Sequence, residues 1–269
     1  MAVERAAGTE GQATPRHVLV GGVRVFDGGL EEATLVLRGR LAEGRGARVA
    51  TANLDFLALA ARDPILAEDL DRSDLVVADG APVAWMARHA GATSVRRCAG
   101  VDLVLALCRE SRAGRPLRVL LYGATPDVAA IAAERLTAPG GNVEIAGVMC
   151  PPFRPLSGLE QAEEQRQIAA LAPDLVLVAL GCPRQERLIA TYFDNAPAAI
   201  WIGVGGTLDF LAGRKRRAPR WLQATGLEWT ARLAQDPRRL WRRYLLRDIP
   251  FLLRLAPSQM KWGRRAGAG

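Results

Sequence analysis

The chain has 269 residues, 49% hydrophobic and 24% charged, enough for one large α/β domain or two small ones and unlike a disordered chain. No apolar run reaches the roughly 18 residues needed to span a bilayer; the best, 175–183 and 196–208, carry Gly or Pro. The net charge of +8 is uneven: residues 214–269 hold 15 Lys and Arg against three acids, leaving 21 of 36 basic and 25 of 28 acidic residues to positions 1–213.

In chain order, residues 1–16 include Glu4 and Glu10 and lack an apolar core, so they read as a floppy tail rather than a signal peptide. Residues 17–20 and 23–26 flank Gly21-Gly22, the pattern of a tight hairpin. Further strands are expected at 47–51, 75–78, 117–122, 143–148, 175–180 and 199–202. Between them, apolar residues at spacings of three and four predict helices over 54–61, 83–89, 101–111, 128–136 and 161–171. Continuous Val/Leu/Ile strands separated by helices predict a Rossmann-like α/β fold, a mostly parallel sheet with helices on both faces. The α/β body is expected over 17–213, a basic helical appendage over 214–255, and a disordered tail over 256–269.

Ligands of such sheets sit beyond the carboxyl ends of the strands. Four predicted strand ends carry turns suited to phosphate or a nucleotide: Asp79-Gly80, Gly123-Ala124-Thr125-Pro126, Gly181-Cys182-Pro183-Arg184-Gln185-Glu186 and Gly203-Val204-Gly205-Gly206-Thr207. Taken singly, each is as well explained as punctuation between strand and helix. Neither G-x-G-x-x-G nor a Walker-type loop is met, which leaves nicotinamide enzymes and P-loop ATPases as minor alternatives.

Asp79 follows a buried strand directly, where a rigidly held carboxylate can act as general base; the competing role is an N-cap for the helix over 83–89. Thr51 and Asn53 end the preceding strand and would join Asp79 on one rim, with helix capping again the plainer reading for Asn53. Asp69-Leu70-Asp71 is a nominal D-x-D metal clamp, but it lies in a charged helical stretch and reads as a solvated face. Two histidines and four cysteines without C-x-x-C spacing argue against a structural zinc or a disulfide framework and favour a reducing compartment. No metal and no cofactor is required by this sequence. In the appendage, a Trp/Tyr/Leu stripe runs beside Arg232, Arg238, Arg239, Arg242, Arg243 and Arg247. That pairing suits an anionic bilayer surface or the closure of arginines over a pyrophosphate. A homo-oligomer seam is the competing reading, and nucleic acid is weakly supported for want of a recognised fold motif.

Seven ordered motifs carry a resemblance over roughly 17–255: Thr51-Ala52-Asn53; Ala78-Asp79-Gly80; Arg97-Cys98-Ala99-Gly100-Val101-Asp102; the segments starting at Gly181 and Gly203, the latter extending to Asp209-Phe210; Arg217-Ala218-Pro219-Arg220-Trp221; and Gly226-Leu227-Glu228-Trp229. The chain resembles the TagA/WecG/CpsF family of bacterial glycosyltransferases. The resemblance implies an inverting, metal-independent transfer from a UDP-sugar to an undecaprenyl-diphosphate-linked sugar, by a peripheral protein on the cytoplasmic face of the inner membrane, without nucleic acid. It implies Asp79 as catalytic base with Thr51 and Asn53 beside it. It places Arg97 and Gln185 in the sugar and acceptor pocket, lined also by Gly181, Gly203, Gly205 and Asp209, and brings Arg232, Arg239 and Arg242 to the diphosphate. N-acetylmannosamine is the favoured sugar; glucose or a uronic acid, and a non-catalytic nucleotide- or nucleic-acid-binding role, are the alternatives. Met149-Cys150-Pro151-Pro152-Phe153-Arg154 departs from the family's usual Gly-rich segment and bears on donor or acceptor preference.

Overall fold

A computed structural model describes residues 15–109, 114–138, 142–219, 221–222 and 228–255. The expected N-terminal and C-terminal tails therefore lie almost wholly outside the described residues. Strands β1 (His17–Val20) and β2 (Val23–Phe26) form an antiparallel hairpin. Gly21 and Gly22 turn it with φ of +57° and +86°, a left-handed pair that suits the strand twist and that side chains disfavour.

Six strands then make one parallel sheet: β3 (Ala47–Ala52), β4 (Leu75–Ala78), β5 (Leu117–Gly123), β6 (Val143–Met149), β7 (Leu175–Ala179) and β8 (Ile200–Gly203). Their spatial order is β4-β3-β8-β7-β5-β6. The helices are α1 (Leu30–Ala42), α2 (Leu54–Ala60), α3 (Pro64–Asp71), α4 (Ala81–His89), α5 (Gly100–Cys108), α6 (Pro126–Leu136), α7 (Gly158–Leu171), α8 (Arg184–Tyr192) and α9 (Thr207–Leu211). The α/β class and every expected strand are present, with boundaries within one residue. Helix α1 has no clear sequence pattern. Its buried positions are Ala33, Thr34, Leu37 and Leu41 while Leu35 is exposed, so small and polar residues blur the apolar stripe.

Successive strand residues point to opposite faces, and the core divides accordingly. Val49, Leu75, Val77, Val119, Leu121 and Ile202 pack under α1, α5, α6 and α9. On the other face Ala50, Ala52, Val76 and Ala78 meet α2, α3, α4 and the hairpin, and Tyr122, Val178 and Trp201 meet α7 and α8. Because the strands run parallel, all their carboxyl ends share one rim.

The chain then folds back over that rim. Arg214 pairs with Asp127 (2.8 Å), Lys215 with Asp209 (2.6 Å) and Arg217 with Asp102 (2.7 and 2.8 Å), so body acids hold the start of the basic segment. Beyond it lie α10 (Glu228–Gln235) and α11 (Pro237–Arg243), which runs through a π-helical turn (Tyr244–Asp248) into helical residues 249–255. Phe251, Leu252 and Leu255 pack onto the hairpin and α2 side of the core. Among the described residues, no helix is long and apolar enough to cross a membrane.

Candidate active site

Between the β3/β4 end of the rim and the appendage lies a cavity of about 220 Å³. The body supplies Asn53, Leu54, Asp79, Pro82 and Arg97; the appendage supplies Glu228, Trp229, Arg232, Tyr244, Asp248, Ile249 and Leu252.

Asp79 is the residue after β4, and its amide donates to Ala52 O at 2.9 Å, continuing the sheet's ladder. It is not the α4 cap: Gly80 takes that position. Its carboxylate faces the first turn of α5 instead, where Gly100 N donates to Oδ1 at 3.3 Å. Burial pushes its pKa up to about 6, against the pull of Arg232 and Arg97 and with a push from Glu228. Such a carboxylate is ionised near neutrality yet more basic than an exposed one, the balance that suits a general base.

Arg97 and Arg232 are the cations that act on it, and they meet at Glu228. Arg97 Nε donates to Asp79 O at 3.3 Å, and its Nη2 pairs with Glu228. Arg232 Nη2 donates to the other Glu228 oxygen at 3.1 Å, and its guanidinium lies 5.6 Å from the Phe210 ring centroid. Trp229 meets Tyr244 edge to face, centroids 5.8 Å apart, on the apolar side of the cavity.

A second ionic group fastens the appendage. Arg243 reaches Asp55 (3.2 Å), Asp248 (3.4 Å) and the Asn53 amide oxygen (3.2 Å), while Arg247 pairs with Asp55. Asp55 and Asp248 are both buried, and burial lifts the Asp248 pKa to about 6 in spite of Arg243.

Several expected site residues have other work. Thr51 is buried and donates to Gly203 O at 2.8 Å, bracing β3 against β8 under the α5 terminus rather than lining the cavity. Asn53 lines the cavity, but its Oδ1 caps α2, accepting from Asp55 N (3.0 Å) and Phe56 N (3.3 Å). Gln185 is 1% exposed, so it cannot line a pocket; its Oε1 accepts from Gly181 N (3.1 Å) and Gly205 N (3.0 Å). Those two glycine N–H groups are thereby occupied and unavailable to a phosphate. A Cβ at Gly203 would lie 2.6 Å from Gln185 Nε2, which explains the bare backbone there. Asp209 pairs with Lys215 away from the cavity lining. Arg242 is exposed and stacks 5.3 Å from the Trp241 centroid, while its neighbour Arg243 turns inward to Asp55, Asp248 and Asn53; neither lines the cavity. The Arg239 side chain lies outside the described residues.

The D-x-D pair splits. Asp71 is exposed and binds Arg24 (2.9 Å), whereas Asp69 is buried, not solvated, near Arg187. Among the described residues, no cluster of three His, Cys, Asp or Glu is placed to hold a metal ion. Cys98, Cys108, Cys150 and Cys182 are all free thiols.

The site thus joins a rim-mounted carboxylate and two arginines beneath a folded-back helical cover. The glycosyl transferase WecG/TagA/CpsF family profile matches residues 18–265, and the chain belongs to that glycosyltransferase family. It is 35% identical over 205 residues, 76% of this chain and 77% of the relative, to an N-acetylglucosaminyldiphosphoundecaprenol N-acetyl-β-D-mannosaminyltransferase of Bacillus spizizenii. A protein of the same name from Bacillus subtilis (strain 168) is 34% identical over 202 residues, 74% of this chain and 75% of its own length.

Proposed function

We propose that this glycosyltransferase moves N-acetylmannosamine from a UDP-linked donor onto N-acetylglucosaminyl-diphosphoundecaprenol, inverting the anomeric carbon. The observation that carries the mechanism is Asp79 on the cavity wall with Arg97 and Arg232. An acceptor hydroxyl gives its proton to the Asp79 carboxylate as its oxygen attacks the anomeric carbon. The bond from that carbon to the diphosphate oxygen breaks, and its electron pair leaves with UDP. Arg97 and Arg232 offset the charge gathering on the departing diphosphate. The choice of sugars and lipid follows the names of the Bacillus relatives.

The membrane partner is read from the appendage's outer side. Trp241, Leu245, Leu246 and Leu253 are exposed together with Arg238, Arg242 and Arg254. Apolar and cationic side chains on one helical face fit the headgroup boundary of an anionic bilayer, here the cytoplasmic face where the donor is found. The test is UDP release from a panel of UDP-sugars with short-chain polyprenyl-diphosphate-GlcNAc, with and without anionic vesicles. UDP-N-acetylmannosamine should be the productive donor, and vesicles should raise the rate. UDP release from UDP-glucose or a UDP-uronic acid alone would overturn the donor assignment.

A further inference from the structure

The cavity wall carries three carboxylates, Asp79, Glu228 and Asp248, against two guanidiniums, Arg97 and Arg232. Glu228 is shared by both arginines, which bind one oxygen each. Arg97 comes from the body and Arg232 from the appendage. The Glu228 side chain is only 12% exposed, so solvent screens these pairs weakly. Two guanidiniums gripping separate oxygens of one compact anion is also how paired arginines hold a phosphate.

We infer that Glu228 sits in the seat of the donor's diphosphate and is displaced by it, acting as a positioning residue that keeps Arg97 and Arg232 aligned for the leaving group. The inference rests on the UDP-sugar reading above. A diphosphate approaching with Glu228 in place meets its negative charge and two arginines that each have one donor committed to it. Once Glu228 swings toward the cleft mouth, one donor on each arginine becomes free, and the incoming anion restores the charge balance.

The rival role for Glu228 is a plain tie between α10 and the body, and the two roles differ in sign. A tie, once cut, loosens the cover and weakens nucleotide binding. A competitor for the seat, once neutralised, strengthens it. Glu228→Gln keeps the shape and removes the charge. By calorimetry on the full chain at neutral pH, it should bind UDP about tenfold tighter, one charge-assisted hydrogen bond's net worth, with inorganic pyrophosphate following the same trend. Donor KM should fall, and kcat should fall as well because UDP leaves more slowly. Glu228→Asp keeps the charge but cannot span both arginines, and should lie between.

The pH profile reports the same charge from the side of the base, while the sign of the UDP affinity change separates the two roles. Asp79 faces Glu228 and Arg232 from α10, Arg97 and Cys98 from the segment before α5, and Arg217 from the segment after α9. Removing the Glu228 charge should move the acid limb of kcat/KM to lower pH. UDP affinity equal to or weaker than wild type in both variants overturns the displaced-carboxylate role. Wild-type protein that binds neither UDP nor pyrophosphate overturns the donor reading itself, and this role with it.

Discussion

The two rims of the sheet treat their aspartates in opposite ways. At the amino ends, Asp74 and Asp174 immediately precede β4 and β7, and each amide donates to the neighbouring strand, at Arg48 O (2.9 Å) and Arg118 O (2.8 Å). The Asp74 carboxylate accepts from Arg48 N and Arg40 at 2.9 Å each. The Asp174 carboxylate accepts from Arg118 N at 3.0 Å and from both terminal nitrogens of Arg115 at 2.7 and 2.8 Å. At the carboxyl ends, Asp79 has the same ladder bond through its amide, but its carboxylate accepts a long bond from Gly100 N, at 3.3 Å. Strand-end aspartates on one rim are saturated and hold the sheet. On the other, one keeps unmet basicity, and the rim where stability is given up is the rim where we place the chemistry.

That contrast can be broken by experiment. Asp79→Asn should lower turnover 10²- to 10⁴-fold, the range of a lost general base, while calorimetry still detects UDP binding. Near-normal turnover would remove Asp79 from the mechanism. Asp174→Ala should leave the site chemistry in place but cost about 2 kcal/mol in denaturant unfolding, because it leaves the Arg118 amide unpaired while the half-exposed Arg115 returns to solvent. The melting temperatures should also move in opposite directions. The Asp79 pKa is raised to about 6 in the fold, above the roughly 3.9 of an unfolded chain. Folding thus favours its protonated form, and stability attached to this group is lost as pH rises through that window. Asp79→Asn should therefore melt higher than wild type at neutral pH, the difference closing as pH falls below about 4. With Asp79 as base, wild-type kcat/KM should fall as pH drops through about 6; a flat profile there contradicts it.

A smaller test sharpens the comparison within the appendage. Arg243→Met leaves Asp55 and Asp248 short of a partner and should cost turnover about tenfold, near the worth of one charge-assisted hydrogen bond. Arg242→Met should instead weaken binding to anionic vesicles by roughly the ~1 kcal/mol of one surface cation.

Those two neighbours also show where the sequence stops being readable. Successive helical residues are 100° apart, so whether Arg242 or Arg243 turns toward the body depends on how the appendage rolls onto it, a long-range packing outcome. The places of Glu228, Tyr244 and Asp248 in the cavity wall are hidden for the same reason, although Glu228 lies in a recognisable motif and a lone Asp248 inside a basic run signals an internal counter-ion. Local rules did better. Apolar runs located the strands, parallel topology put their ends on one rim, and Asp79 followed from its position after β4. Gln185 lay between these cases: the turn was legible, but that its amide stitches Gly181 to Gly205 was not.

The hairpin seat of the appendage gives a handle far from any reacting group. At Gly21 an added methyl would stand 2.9 Å from Leu255 Cδ1 and 3.4 Å from the Phe251 ring, on backbone already left-handed. A single carbon there strains the left-handed turn and presses on the movable tip of Leu255, unsettling the seat of the cover while every charged contact keeps its own chemistry. Were the cover to work as a lever in catalysis, Gly21→Ala would make its leverage measurable.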